Sequence, residues 1–368
     1  MKSIYEKYNL KEVINASGRM TILGVSTPVA AVIDEMNVGL QHFFEIKDLL
    51  DKTGEYIAKR LQVEAAVIVS CASSGMAQSV GALISKDDLD LILNLHTSLK
   101  IVPREIIIPK GHNVNYGAPV ASMIALGGGI MVEAGYANEC SLAHIETMIN
   151  ADTAALLYIK SHHCVQKSMP SVTEMIAISQ KHKIPLIIDA AAEEDLMIYH
   201  QMGADIVIYS GAKAIEGPTS GLVIGKKTYI DWIKLQSNGI GRAMKVGKEG
   251  ILGLTKAIDL YLSTPQTTGA EMLEKMEPFI NKINLLNGMS AKAVWDSAGR
   301  DIARAELYFD EKVLGKTTFE ILAKLKQGSV VIYFREYKAN EGKVEVDVRS
   351  VSSTQLETAY QLICTAIN

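Results

Sequence analysis

An aspartate and a lysine stand just past two apolar runs: Ile187-Ile188-Asp189, and ADIVIYS leading into Ser210-Gly211-Ala212-Lys213. Both runs read as buried strands, and the carboxyl ends of strands in an open α/β sheet are where ligands bind. An amine and a carboxylate so placed are the two groups pyridoxal phosphate needs, one for a Schiff base and one to face the pyridinium nitrogen. The carboxylate stabilises the protonated ring, each pKa unit being worth about 1.4 kcal/mol. A protonated ring accepts the charge of an α-carbanion. Lys213 before its Gly/Pro loop reads equally as a solvated side chain when taken alone. Ser210 shifts the reading, since its hydroxyl can reach a cofactor phosphate.

A second group of residues points the same way. Cys71-Ala72-Ser73-Ser74-Gly75-Met76 follows an apolar run and opens a helical pattern. Exposed N–H groups at a helix start, with two hydroxyls, make a phosphate site. Ser73 as a plain helix cap is the alternative. Gly127-Gly128-Gly129 follow a helix instead of opening one, so they do not form a dinucleotide fingerprint. His112, in KGHNVNYG after a strand, is placed to lie over a ring or act near one. His162 and His163 follow another strand. The adjacent pair with Cys164 does not match metal-ligand spacing, so no zinc is expected; one histidine is structural or solvated and the other, taken as His162, contacts the cofactor.

Cations supply candidate substrate anchors. Arg242, Lys245 and Lys248 lie between glycines in GRAMKVGKEG. They form either a solvated face or a site for an anionic group such as phosphate. Arg349 lies in the alternating strand KVEVDVRSV and needs a partner. A substrate carboxylate held by both forks is one, and Asp347 is the other. Arg19 belongs to the Gly-broken stretch INASGRMTILGVSTP, an arm that either wraps the surface or flaps over a site.

These side chains need elements to position them. From Ala65 to Gly225 apolar strands alternate with helices of about ten residues, the pattern of a mostly parallel sheet covered on both faces. A Ser-Thr-Pro break at Ser263 leads into a smaller α+β region, where SVVIYFREY and KVEVDVRSV are expected to pair as a hairpin. The expected division is an arm over 1–30, a large domain over 31–262 and a small C-terminal domain over 263–368. The 368 residues suffice for a large core, and 48% hydrophobic against 21% charged residues is ordinary for a globular enzyme. A net charge of −4 argues against a nucleic-acid surface. Four scattered cysteines read as reduced thiols. No long apolar run is present to span a membrane, and the N-terminus lacks a signal-peptide core; a cytoplasmic location is expected.

INASGRMT, SCASSGMA, PKGHNVNYG, IIDAAAEED, SGAKAIEGPTSGLVIGKK, GRAMKVGKEG and DVRSV together resemble the fold-type I pyridoxal-phosphate enzymes related to selenocysteine synthase. Within them the chain is most similar to the D-glucosaminate-6-phosphate ammonia-lyases. The resemblance spans nearly the whole chain, and SGAK…GP…G is its most specific part. It implies a seven-stranded, aspartate aminotransferase-like large domain with a small C-terminal domain. It implies that Lys213 holds the cofactor, Asp189 pairs with the pyridine nitrogen, and Ser73, Ser74, Gly75 and Ser210 hold the phosphate, with Met76 beside them. Arg349 then takes the substrate carboxylate, and Arg19, Arg242 or Lys245 a distal phosphate. The implied activity is elimination of water and release of ammonia from 2-amino-2-deoxy-D-gluconate 6-phosphate. A different β- or γ-lyase, a selenium or sulfur transferase, or a non-catalytic binding module are the other readings. A homodimer or larger homo-oligomer with shared sites is implied. The selenium transferases carry an added N-terminal tRNA-binding portion, and weak tRNA binding is expected for this acidic chain.

Overall fold

A computed structural model describes residues 3–161, 163–296 and 301–368. Ser26–Ser263 form one compact unit, and Met1–Val25 with Thr264–Asn368 form another. In chain order the strands are β1 (Glu12–Ala16), β2 (Ala65–Val69), β3 (Glu105–Pro109), β4 (Ile130–Ala134), β5 (Thr153–Ile159) and β6 (Leu186–Asp189). They continue with β7 (Ile206–Ser210), β8 (Gly221–Gly225), β9 (Met289–Trp295), β10 (Ala303–Phe309), β11 (Val330–Phe334) and β12 (Lys343–Val346).

In the larger unit seven strands make one sheet in the order β2-β8-β7-β6-β5-β3-β4. β8 alone runs against its neighbours, while the pairs from β7 to β4 are parallel. Every residue of β5, β6 and β8 is buried, which is why these runs are apolar throughout: helices cover both sheet faces and leave no polar side. One face packs Ile188, Val207, Leu222 and Ile224 against the helices Ile46–Leu61 and Lys248–Ser263. The other packs Ile187, Ile208 and Val223 against the helix Ala72–Ser85.

In the smaller unit β12-β10-β9 form an antiparallel sheet, and β1 pairs in parallel with β11. Ile14 and Ala16 of β1 thereby enter a core with Met276, Phe309, Ile332 and Ile363. The N-terminal residues expected as a separate arm are part of this unit through Val25. The expected hairpin between β11 and β12 shrinks to a single bridge between Arg335 and Glu345. Buried faces explain the change: β11 is taken by β1 and β12 by β10, each completing the apolar core.

Candidate active site

The sheet order decides which loops meet. β2, β8, β7 and β6 are adjacent, so the helix Ala72–Ser85 after β2 begins one strand away from the loop after β7. Val69 and Ser210 are both in register with Gly221, which sets these strand ends level. Asp189 closes β6, the strand beyond. A Cβ on Gly221 would stand 2.6 Å from Cys71 C and 2.8 Å from Ala72 N. Glycine there lets the helix start sit directly against the sheet edge.

Cys71 caps that helix. The Ser74 amide donates to Cys71 Sγ at 3.3 Å, and the Cys71 amide donates to Ser74 Oγ at 3.0 Å. Ser74 Oγ also accepts from Ser70 Oγ at 3.0 Å and donates to Cys71 O at 2.8 Å. The hydroxyl expected on a phosphate is thus taken up by the cap. Gly75 is a packing residue, because a Cβ there would meet Val223 Cγ2 at 3.0 Å and Ile208 Cγ2 at 3.3 Å. Met76, 1% exposed, lies in the core beneath. The amides of Ala72 and Ser73 and the Ser73 hydroxyl remain at the helix start, a donor set that fits a phosphate.

The Lys213 loop is held by its backbone. Gly211 N–H donates to Ser220 O and Gly217 N–H to Gly211 O, both at 2.8 Å. Ala212, Ala214 and Ile215 are buried on either side of the half-buried Lys213. The Ser26 hydroxyl donates to Gly217 O at 2.8 Å and ties the start of this unit to the same loop. Asp189 is buried, and its Oδ1 accepts from the Ala191 amide at 3.1 Å. Burial pushes its pKa above the ordinary carboxylate value, while the Ala191 N–H and the charge of Lys213 pull it down. Lysine and aspartate are therefore within electrostatic reach, as a pyridine ring spanning them requires.

His112 has a different place from the one expected. It is fully buried, its Nδ1 accepts from the Ile159 amide at 3.3 Å, and its Nε2 donates to Val165 O at 3.1 Å. Its ring meets Tyr158 edge-on at 4.5 Å, and burial lowers its pKa to about 4. Both nitrogens are committed to backbone, so His112 builds the wall between the β3 and β5 loops instead of exchanging protons. His162 lies outside the described residues. Its neighbour His163 has a pKa lowered by burial and by the charge of Lys213, which brings a neutral imidazole into that lysine's surroundings.

Tyr116 was not singled out by sequence, although it lies in KGHNVNYG. Burial raises its pKa to about 12, and the charge of Asp189 adds to the rise. Its hydroxyl oxygen is closed off from solvent without a hydrogen bond of good geometry. Ser73 lies close enough, as a donor towards the tyrosine oxygen, to pull that pKa down, and the phenol's own proton has no acceptor among the described residues. An orphaned donor, two amides and a hydroxyl beside an amine and an acid fit pyridoxal phosphate.

Of the cations in GRAMKVGKEG, Arg242 and Lys245 are exposed. Lys248 bonds the carbonyls of His42 and Leu40 and lies 5.2 Å from the Phe43 ring centre. In the smaller unit, Arg349 Nε and Nη2 grip Asp347 Oδ1 and Oδ2 at 2.9 and 2.8 Å. Arg304 Nε also reaches Asp347 Oδ2, at 3.3 Å, and Arg304 Nη1 reaches Asp296 at 2.9 Å. Arg19 is half-buried in the same unit. The ion-pair alternative for Arg349 is thus present, and any carboxylate would meet a guanidinium already fixed by a fork.

The Asp347 cluster carries a stability prediction. Burial pushes the Asp347 pKa up, but Arg349 and Arg304 outweigh it and hold the group at about 2. A depressed folded pKa stabilises the fold fully above the unfolded value of 3.8 and loses that contribution as pH falls towards about 2. Asp347→Asn is expected to destabilise by about 3–5 kcal/mol at pH 7, the range for breaking a buried pair. Urea unfolding checks it, and the gap between the two proteins should narrow on acidification below pH 4. An equal gap at both ends of that range contradicts the assignment.

Comparison with known proteins agrees with this geometry. The L-seryl-tRNA selenium transferase (SelA) family model matches residues 90–287. D-glucosaminate-6-phosphate ammonia lyase from Salmonella typhimurium is 42% identical over 96% of this chain and 95% of its own. A 5'-C-glycyluridine monooxygenase-decarboxylase from Streptomyces sp. is 35% identical over 95% of this chain and 88% of its own. A solved D-glucosaminate-6-phosphate ammonia-lyase superposes with a TM-score of 0.94 at 40% identity, covering 100% of this chain and 98% of that one. At the level of fold alone, Thermotoga maritima aspartate aminotransferase superposes with a TM-score of 0.51 at 14% identity, over 98% of this chain and 92% of that one. Among the described residues no helix is long and apolar enough to cross a membrane. The chain belongs to the L-seryl-tRNA selenium transferase (SelA) family and is a pyridoxal-phosphate enzyme of fold type I.

Proposed function

We propose that the protein is an ammonia-lyase that converts 2-amino-2-deoxy-D-gluconate 6-phosphate to 2-keto-3-deoxy-6-phosphogluconate. The observation that carries this reading is the meeting of Lys213 and buried Asp189 at adjacent strand ends, in a chain 42% identical to a D-glucosaminate-6-phosphate ammonia lyase. Pyridoxal phosphate, when bound, supplies the sink for the electron pair left at C2. Lys213 Nζ would hold the cofactor, and its free amine would take the C2 proton. The ammonium so formed carries the proton that the departing C3 hydroxyl needs. His163, kept neutral by burial and by the lysine's charge, keeps a second proton acceptor in that lysine's surroundings. Asp189 would face the pyridine nitrogen, and the Ala72–Ser73 amides with the Ser73 and Ser210 hydroxyls would hold the phosphate. Exposed Arg242 and Lys245 are the cations for the distal phosphate. Water lost from C2–C3 is taken back when the C2 imine hydrolyses, so the net products are the keto acid and ammonia. The enzyme works in the cytoplasm as a homodimer or larger homo-oligomer, with no nucleic-acid partner.

A substrate screen tests this. The purified holoenzyme is expected to release keto acid and ammonia in equal amounts from the 6-phosphorylated amino sugar acid. The unphosphorylated acid should turn over at least about tenfold less well, since one charge-assisted contact is worth about 1.5–3 kcal/mol. Serine, cysteine and cystathionine serve as controls for other lyases. Oxygen uptake and CO2 release are followed in parallel, because the Streptomyces relative is a monooxygenase-decarboxylase. Preference for an ordinary amino acid, or oxygen-dependent decarboxylation, would sink the assignment.

A further inference from the structure

Tyr116 follows β3 in a tight turn. Its amide donates to Ala118 O at 3.3 Å, the Gly117 amide donates to Asn115 Oδ1 at 2.9 Å, and Asn115 and Pro119 form a bridge. The ring packs against the core beneath the helix Ala72–Ser85. This leaves the hydroxyl buried beside Ser73 at that helix's start, with no hydrogen bond of good geometry among the described residues. A buried donor without a partner destabilises a fold and calls for an explanation. Nothing in the packing requires an oxygen there, since phenylalanine would fill the same space. Burial raises its pKa to about 12, so the phenol keeps its proton at neutral pH and acts as a donor. The acceptor it lacks has to arrive with a ligand, and its neighbours Ala72 and Ser73 are the start of an anion site.

We propose that the Tyr116 hydroxyl donates a hydrogen bond to the cofactor's phosphate and completes, from the loop after β3, the cradle that the helix start opens. This rests on the reading of the site as one for pyridoxal phosphate. Asp189 is the competing acceptor, and it makes no hydrogen bond with Tyr116 in this structure. The satisfied donor stabilises the loaded protein, and the orphaned one destabilises the empty protein, so the same hydroxyl acts with opposite sign in the two states.

Tyr116→Phe tests the proposal without activity as the readout. Apoprotein is titrated with pyridoxal phosphate and separately with pyridoxal, following the visible absorbance of the bound cofactor. The variant is expected to bind pyridoxal phosphate about tenfold or more weakly, as for loss of a hydrogen bond to a charged group, and pyridoxal unchanged. The empty variant should melt about one to two degrees above empty wild type, and the loaded variant below loaded wild type. Equal loss for both ligands places the hydroxyl on the ring and overturns the proposal. So does tight wild-type binding with unchanged variant affinity. A wild type that binds neither ligand overturns the site reading itself.

Discussion

Lys213→Ala is expected to yield a folded protein that has lost the visible absorbance of bound cofactor and turns over at least about 10³-fold more slowly, the scale of a lost nucleophile and proton carrier together. The fold should survive because the loop is set by Gly211, Gly217 and Ser220 backbone bonds and by its buried neighbours Ala212, Ala214 and Ile215. None of those depends on the lysine side chain. Absorbance spectra and keto-acid release measure the two effects, and circular dichroism confirms the fold. Retention of the visible band in the variant would falsify the assignment of Lys213. Loss of the band with near wild-type turnover would instead separate cofactor attachment from proton transfer and remove the second role.

Asp189→Asn is the second large effect, and its sign differs between the empty and the working protein. Asparagine keeps the volume and the acceptor for the Ala191 amide and removes only the charge. Burial raises the Asp189 pKa, so the ionised group destabilises the empty fold above its unfolded pKa. The empty variant is therefore expected to be at least as stable as wild type at pH 7. Turnover should nevertheless fall about a hundredfold, taking the loss of two pKa units of support for the protonated ring nitrogen as about 2.7 kcal/mol. Denaturant midpoints of the two apoproteins and kcat of the two holoenzymes check both halves. An empty variant clearly less stable than wild type, or a kcat at the wild-type level, contradicts the role given to the carboxylate.

The two strongest site residues were legible because each stands at or just past the end of a strand built on a run of buried apolar residues. A polar residue at the end of runs such as LIID or IVIYS has few structural reasons to be there. The order of strands and helices in the larger unit was legible for the same reason, since burial on both faces writes a continuous apolar run. Ser74, Gly75, Met76 and His112 show where that reasoning stops. Their neighbours in the chain are those of a cofactor site, but Ser74 spends its hydroxyl on Cys71, Met76 faces the core, and His112 gives both nitrogens to backbone. Spacing alone does not tell which way a side chain turns within one helical turn. The missed hairpin has a related cause: β11 and β12 alternate as a hairpin should, yet each has a better apolar partner elsewhere in the chain.

By itself the sequence determined that an amine, an acid and a hydroxyl-rich helix start stand at strand ends of an α/β sheet, because local periodicity and strand burial are written residue by residue. Only the tertiary structure decided that β8 lies between β2 and β7 with Gly221 against Cys71, which sets the strand end before the helix level with the end of β7 that leads into Lys213. It also decided that Tyr116, silent in the sequence, lies near Ser73 with its hydroxyl oxygen buried. Strand order and the burial of a single oxygen depend on contacts between residues far apart in the chain, and no local pattern records them.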